Sequence, residues 1–158
     1  VGSRRRWVGV GGCGDPRLGP YVAARRSSVL ATAPASAPLT TIGAIGVGFS
    51  SSGDIVSVIG GGTDLTVNGN GCSACLVEVN PTTGDLVTNW GSVGYSAVYG
   101  LAFWGGSAYG FSNSGNLFEI SFGTDSVTTV EIAIPGAPSG LQFWGAGSAT
   151  SAPLEPPE

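Results

Sequence analysis

Residues 98–120 read V-Y-G-L-A-F-W-G-G-S-A-Y-G-F-S-N-S-G-N-L-F-E-I. Short runs of Val, Leu, Phe, Trp, Tyr and Ile alternate with small or polar residues, and W-G-G and S-N-S-G-N interrupt them. A period of two places apolar side chains on one face of a strand. Gly and Asn at the interruptions accept the positive φ of tight hairpin turns. The stretch therefore reads as three strands, near 99–104, 107–112 and 116–122. No apolar spacing of three or four, the mark of a helix, is present.

The same reading extends in both directions. Strands are expected near 45–49, 55–59, 75–80 and 85–90 on the N-terminal side, and near 127–134 and 140–144 on the C-terminal side. S-S-S-G-D (50–54) and N-P-T-T-G-D (80–85) are the breaks between them, with Pro81 presetting a turn. The chain is expected to be all-β.

Two markers repeat. G-L-A-F-W-G (100–105) recurs as G-L-Q-F-W-G (140–145), an offset of 40, and G-V-G-F (46–49) is a weaker copy 54 residues earlier. L-V-E-V-N-P-T-T-G-D-L-V-T (76–88) aligns with L-F-E-I-S-F-G-T-D-S-V-T-T (117–129), an offset of 41. A unit of about 40 residues with four strands has the size of a propeller blade. The longer offset implies an insertion between the second and third strands of the first unit, over residues 60–75. It is expected beside 91–98 and 135–139, so that loops 60–75, 91–98 and 135–139 share one face.

The two units resemble the repeats of exported bacterial β-propellers, the YVTN-like and quinoprotein-like group, over residues 45–147. The resemblance implies a partial propeller of about two four-stranded antiparallel blades plus one extra strand. It also implies an extracytoplasmic binding or scaffold protein, and it assigns no functional residue. Propellers close with four to eight blades, so the chain resembles the C-terminal end of a longer one. That would leave an open sheet edge, a route to self-association.

Outside the repeats the composition changes. The 158 residues include 28 Gly, six Arg, ten acids and no Lys, His or Met, for a net charge of −4. All six Arg fall within the first 26 residues, and nine of the ten acids follow them. Residues 1–38 are read as an irregular Arg/Pro/Gly-rich leader, residues 39–147 as the repeats and residues 148–158 as a Pro-rich acidic tail. Val1 in place of Met suggests a start that lies elsewhere or a fragment. An acidic surface without bases repels nucleic acid and anionic lipid. No apolar run reaches the roughly 20 residues that span a bilayer.

Absent His removes the commonest general base and metal ligand, and no G-x-S-x-G elbow occurs. Cys72-Ser73-Ala74-Cys75 is the one chemically suggestive spacing. Structural zinc needs four ligands and, with only Cys13 remaining and no His, would require Asp/Glu or a second chain, while a redox C-x-x-C expects a βαβ context. A local disulfide pinning the loop fits an exported protein, with Cys13 left over. Asp64, Asn68 and Asn70 stand at even spacing in the inserted segment and are candidate ligand residues. Calcium would need more carboxylates than are local, and Asx-rich loops commonly bond their own backbone.

Tyr95, among Ser and Gly in the connection expected to face the insertion, is the fourth candidate. Glu78 and Glu119 are equivalent by repeat and read as one structural task performed twice. Phe103, Trp104, Phe143 and Trp144 read as core between units. The function expected is non-enzymatic, without cofactor: an exported binding or scaffold module for carbohydrate or protein. A fragment of a propeller enzyme and a purely structural surface component are the alternatives.

Overall fold

The computed structural model of the chain describes the backbone of residues 21–25, 29–33 and 40–157 and the side chains of 41–157. The Arg-rich stretch before residue 21, Arg26, Cys13 and Glu158 lie outside the described residues. Eleven strands follow one another: β1 (Tyr21–Arg25), β2 (Val29–Ala33), β3 (Thr40–Ala44), β4 (Phe49–Ser57), β5 (Thr63–Gly69), β6 (Cys72–Val79), β7 (Leu86–Ser92), β8 (Val98–Trp104), β9 (Ser107–Ser112), β10 (Leu117–Phe122) and β11 (Val127–Ile132). Each pairs antiparallel with its sequence neighbour inside three sheets. Sheet I is β1–β3, sheet II is β4–β7 and sheet III is β8–β11. β1 and β2 fall inside the segment read as irregular. Among the described residues there is no helix, hence none long and apolar enough to cross a membrane.

Sheet II is bounded on both faces. Leu65, Val67, Cys75, Val77 and Val79 pack with Ile45 and Ile42 on the side of sheet I. Val56, Val58, Ala74 and Leu76 pack with Leu101, Phe103, Ala108, Phe118 and Ile120 of sheet III. Alternation along each strand sorts these residues, and burial of such side chains is worth about 1.5–3 kcal/mol each. The first strands of successive sheets lie side by side, β1 by β4 and β4 by β8.

Four expectations are corrected. Residues 60–75 are not an inserted loop: they contain β5, the two-residue turn Asn70-Gly71 and the start of β6. Both turn residues have positive φ, 51° and 79°, the signature of an Asn-Gly hairpin. S-S-S-G-D is not a break, because β4 runs through it with a bulge between Ser51 and Ile55. The expected strands at 45–49 and 55–59 are thus the approach and the second half of one strand.

The third concerns the extra strand at 140–144, which does not form. The inner edge of β8 is already engaged: Asp54 Oδ2 accepts the Leu101 N–H at 3.3 Å and Ser148 Oγ accepts the Phe103 N–H at 3.0 Å. Without a free ladder the segment is held by single bonds, such as Phe143 N–H to Ser112 C=O at 3.3 Å. Fourth, of the aromatic residues read as core only Phe103 is fully so. Trp104 and Trp144 are exposed, since neighbours on an extended chain point to opposite sides.

The C-terminal residues pack back on the sheets. Thr150 C=O accepts from Ile59 N–H, Pro153 C=O accepts from Gly105 N–H, and Ala152 is buried between sheets II and III. The β4 bulge organises this region. A Cβ at Gly53 would fall on the Val98 carbonyl, so glycine there lets β4 approach β8. The bulge also turns Asp54 outward from its own ladder, where it accepts backbone N–H groups from Ile55, Leu101 and Ala146. Burial nevertheless holds its carboxyl above the ordinary carboxylate range.

Candidate functional site

Because strands alternate in direction, each sheet has two ends. One end carries the Asn70-Gly71 turn, the 93–97 connection, the 113–116 turn and the chain after Ile132. Val93 N–H donates to Ala74 C=O at 3.2 Å and Asn113 N–H to Ala97 C=O at 2.8 Å, which ties sheets II and III together there. The segment 70–75 does adjoin the 93–97 connection, as expected, while 60–62 lies at the other end.

Of the four candidate residues, Asn68, Asn70 and Tyr95 are at this end. Asn68 Oδ1 accepts the Ala74 N–H at 2.9 Å, and Asn70 Nδ2 donates to Val47 C=O at 3.1 Å. Residues 73 and 74 oppose the single residue 68, since Val67 faces Cys75 and Gly69 faces Cys72. Ala74 takes a positive φ of 53° in this bulge. Cys72 and Cys75 are joined as a disulfide across it, with Cα atoms 5.8 Å apart, inside the usual range. The C-S-A-C motif is therefore a clamp on a bulge.

A four-residue ring corresponds to about 2 kcal/mol in the loop-entropy relation. Changing both Cys72 and Cys75 to Ala should lower stability by that amount in urea unfolding. A much larger loss would mean that the bridge, rather than the Asn-Gly turn and Asn68, sets the hairpin.

Tyr95 stacks on Phe118, with ring centroids 3.9 Å apart and planes 11° from parallel. Desolvation and the Glu131 carboxylate raise its phenol above the ordinary value. The same end carries an aromatic pair, one member of which, Trp144, reads as core in the sequence. Tyr99 and Trp144 stack at 6.0 Å and 21°, and Trp144 is 73% exposed. The signal was present in the failure of G-L-Q-F-W-G to be followed by a second strand.

Asp64 is elsewhere. It lies four residues before Asn68 on β5, about 13 Å away at the rise of a strand, and is 5% exposed. It stands directly opposite Glu78 of β6. Trp90 Nε1–H donates to Asp64 Oδ1 at 3.1 Å, and Thr88 Oγ–H to Glu78 Oε2 at 3.3 Å. Both carboxyls crowd Gly62, where a Cβ would sit 3.0 Å from Asp64 Oδ2 and 3.3 Å from Glu78 Oε1.

Burial first, and the neighbouring Glu78 second, push Asp64 up to about 7 against the opposing Trp90 hydrogen bond. Protonation of Asp64 relieves the crowding of the two carboxyls. Glu119 of β10, which faces Tyr109, instead accepts from Ser107 Oγ at 2.6 Å. Among the described residues no three His, Cys, Asp or Glu side chains gather as metal ligands. No family model, no curated protein and no solved structure matches the chain.

Proposed function

We propose that the chain is a propeller-type β scaffold, exported from the cytoplasm, that binds a carbohydrate without catalysis at the end carrying Tyr99 and Trp144. The observation that carries the reading is this stacked pair. A flat aromatic surface accepts the apolar face of a sugar ring, and adjacent polar groups fix its orientation. Asn113, Asn116 and Glu131 lie at the same end, the last two joined by a 3.1 Å hydrogen bond. The disulfide fits an oxidising compartment.

Enzymatic chemistry is not part of the proposal. Asp64 and Glu78, the closely opposed carboxyl pair among the described residues, are shut under Trp90, where a glycosidic bond has no access to Asp64. Repeat sheets with their first strands side by side support the propeller-type reading.

The test titrates the chain with soluble cello-, xylo-, chito- and malto-hexaose, following tryptophan emission. Saturable quenching by at least one of them is expected, and Trp144→Ala should weaken that binding about tenfold or more, equivalent to about 1.4 kcal/mol. The reading fails if no oligosaccharide saturates the chain, or if Trp144→Ala binds as tightly as the parent.

A further inference from the structure

We infer that the outer face of sheet III is an interaction surface for a second copy of this chain, docked head to tail. The inference rests on the propeller-type reading above and deepens it by naming a partner.

Strand register makes the two four-stranded sheets comparable residue by residue. Asp64 faces Glu78 in sheet II as Tyr109 faces Glu119 in sheet III. Thr66 faces Leu76 as Phe111 faces Leu117. Val56 faces Asp64 as Ala102 faces Tyr109, and two residues further along the first strand Val58 corresponds to Trp104. Thr88, opposite Glu78, corresponds to Val130, opposite Glu119.

In sheet II this set of positions is the face that sheet III covers. Val58 is 6% exposed there and Leu76 fully buried. In sheet III the same positions have no covering sheet. Trp104 is 53% and Val130 63% exposed, and Leu117, Tyr109 and Phe111 are half-buried. The positions of sheet III are also the more apolar of the two sets: Tyr109 stands where sheet II has Asp64, Phe111, against whose ring Phe143 packs edge-on at 5.3 Å, where it has Thr66, and Val130 where it has Thr88. A contiguous face of this kind marks an association site rather than a solvated one.

The direction of docking follows from the internal order. Sheet II turns its Val77 and Val79 face toward sheet I. Sheet III turns the corresponding Phe118 and Ile120 face toward sheet II. Each sheet thus covers the forward face of its predecessor, and the forward face of sheet III takes the sheet that begins another copy. Head-to-tail contacts close when the rotation permits. Two copies of three sheets make a ring of six, within the four to eight of closed propellers. A ring also removes the forward face from water on both copies at once.

The test is the solution mass of the full chain by light scattering, with far-UV circular dichroism and a thermal melt on the same samples. The expected wild-type mass is twice the 15.7 kDa of one chain. Trp104→Glu and Val130→Glu should each give the single-chain mass with unchanged dichroism. Val47→Glu, at a 97% exposed residue of the turn between sheets I and II, should stay dimeric. Oxidised Trp104→Cys in a Cys13→Ser background should form no 104–104 cross-link, because equivalent residues do not meet in a head-to-tail ring.

A folded wild-type monomer overturns the inference and leaves oligosaccharide binding intact. So does a dimer that survives both face substitutions, or a ready 104–104 cross-link, which would mean face-to-face pairing. An unfolded or polydisperse wild-type chain overturns both the inference and the scaffold reading.

Discussion

Replacing Phe118 by alanine should cost about 3–5 kcal/mol of unfolding free energy, the range for truncating a buried aromatic side chain. Phe118 has no exposed surface and sits in the layer between sheets II and III. One side of its ring stacks on Tyr95. Another rests on β9 over Gly110, where a Cβ would fall on the ring itself. Three elements thus close around one side chain: the inter-sheet connection, β9 and β10. Backbone lining a cavity collapses poorly, so the loss should lie toward the upper part of the range. Leu117→Ala, one residue earlier and on the opposite face, should cost clearly less in the same urea series. Equal losses at 117 and 118 would contradict the register of β10 and with it the assignment of inner and outer faces. Against a typical total of about 5–15 kcal/mol, Phe118→Ala should leave the chain near its unfolding threshold at room temperature.

Sheet III was legible in the sequence almost strand for strand. The reading placed strands at 107–112 and 116–122, and β9 and β10 run Ser107–Ser112 and Leu117–Phe122. Its turns are short, and apart from one shift between Val98 and Gly100 its registers follow from the preceding turns. Sheet II was less legible because its ladders contain bulges. T-D-L-T-V (63–67) alternates as a strand should, but Gly on one side and Asn-Gly-Asn-Gly on the other make it look like loop. The Asn-Gly turn, a strong hairpin signal, lies inside the stretch that the difference between the two offsets marks as an insertion.

Even with that turn recognised, pairing outward from it without a bulge would put Asp64 opposite Val77. The extra residue at 73–74 shifts the ladder by one and brings Asp64 onto the face of Glu78. A one-residue slip exchanges the faces of a strand, and no spacing in the sequence announces it. The β4 bulge acts similarly: it joins two expected strands into one and aims Asp54 at β8. Leu76 and Leu117, like Glu78 and Glu119, stand at corresponding positions of β6 and β10, but burial of the first pair depends on whether another sheet lies above. That information is not local to either strand.

The shift at the bulge sets the second large effect, which concerns pH. Asp64 titrates near 7 in the folded chain and near 4 when unfolded. Its folded value is raised, so the neutral acid is the form the fold prefers. The associated stability is fully present below about pH 4 and is lost as pH rises through about 7. Roughly three units at about 1.4 kcal/mol each give an upper figure of about 4 kcal/mol between those limits. Asp54, raised by burial as well, acts in the same sense.

Among the described residues, Glu78 on β6 faces Asp64 and opposes its ionisation, and Trp90 on β7 offers a neutral N–H. Asp64→Asn keeps an oxygen for Trp90 and cannot ionise. It should match the wild type at about pH 4 and below, the gap should open between pH 4 and 7, and above pH 7 it should be more stable by several kcal/mol, bounded by the figure above. Urea unfolding across pH 4–8 measures both curves, and Trp90 emission supplies an independent titration that should disappear in the variant. Superimposable stability curves for the two proteins would mean that Asp64 is already ionised at neutral pH, with Glu78 displaced away from it.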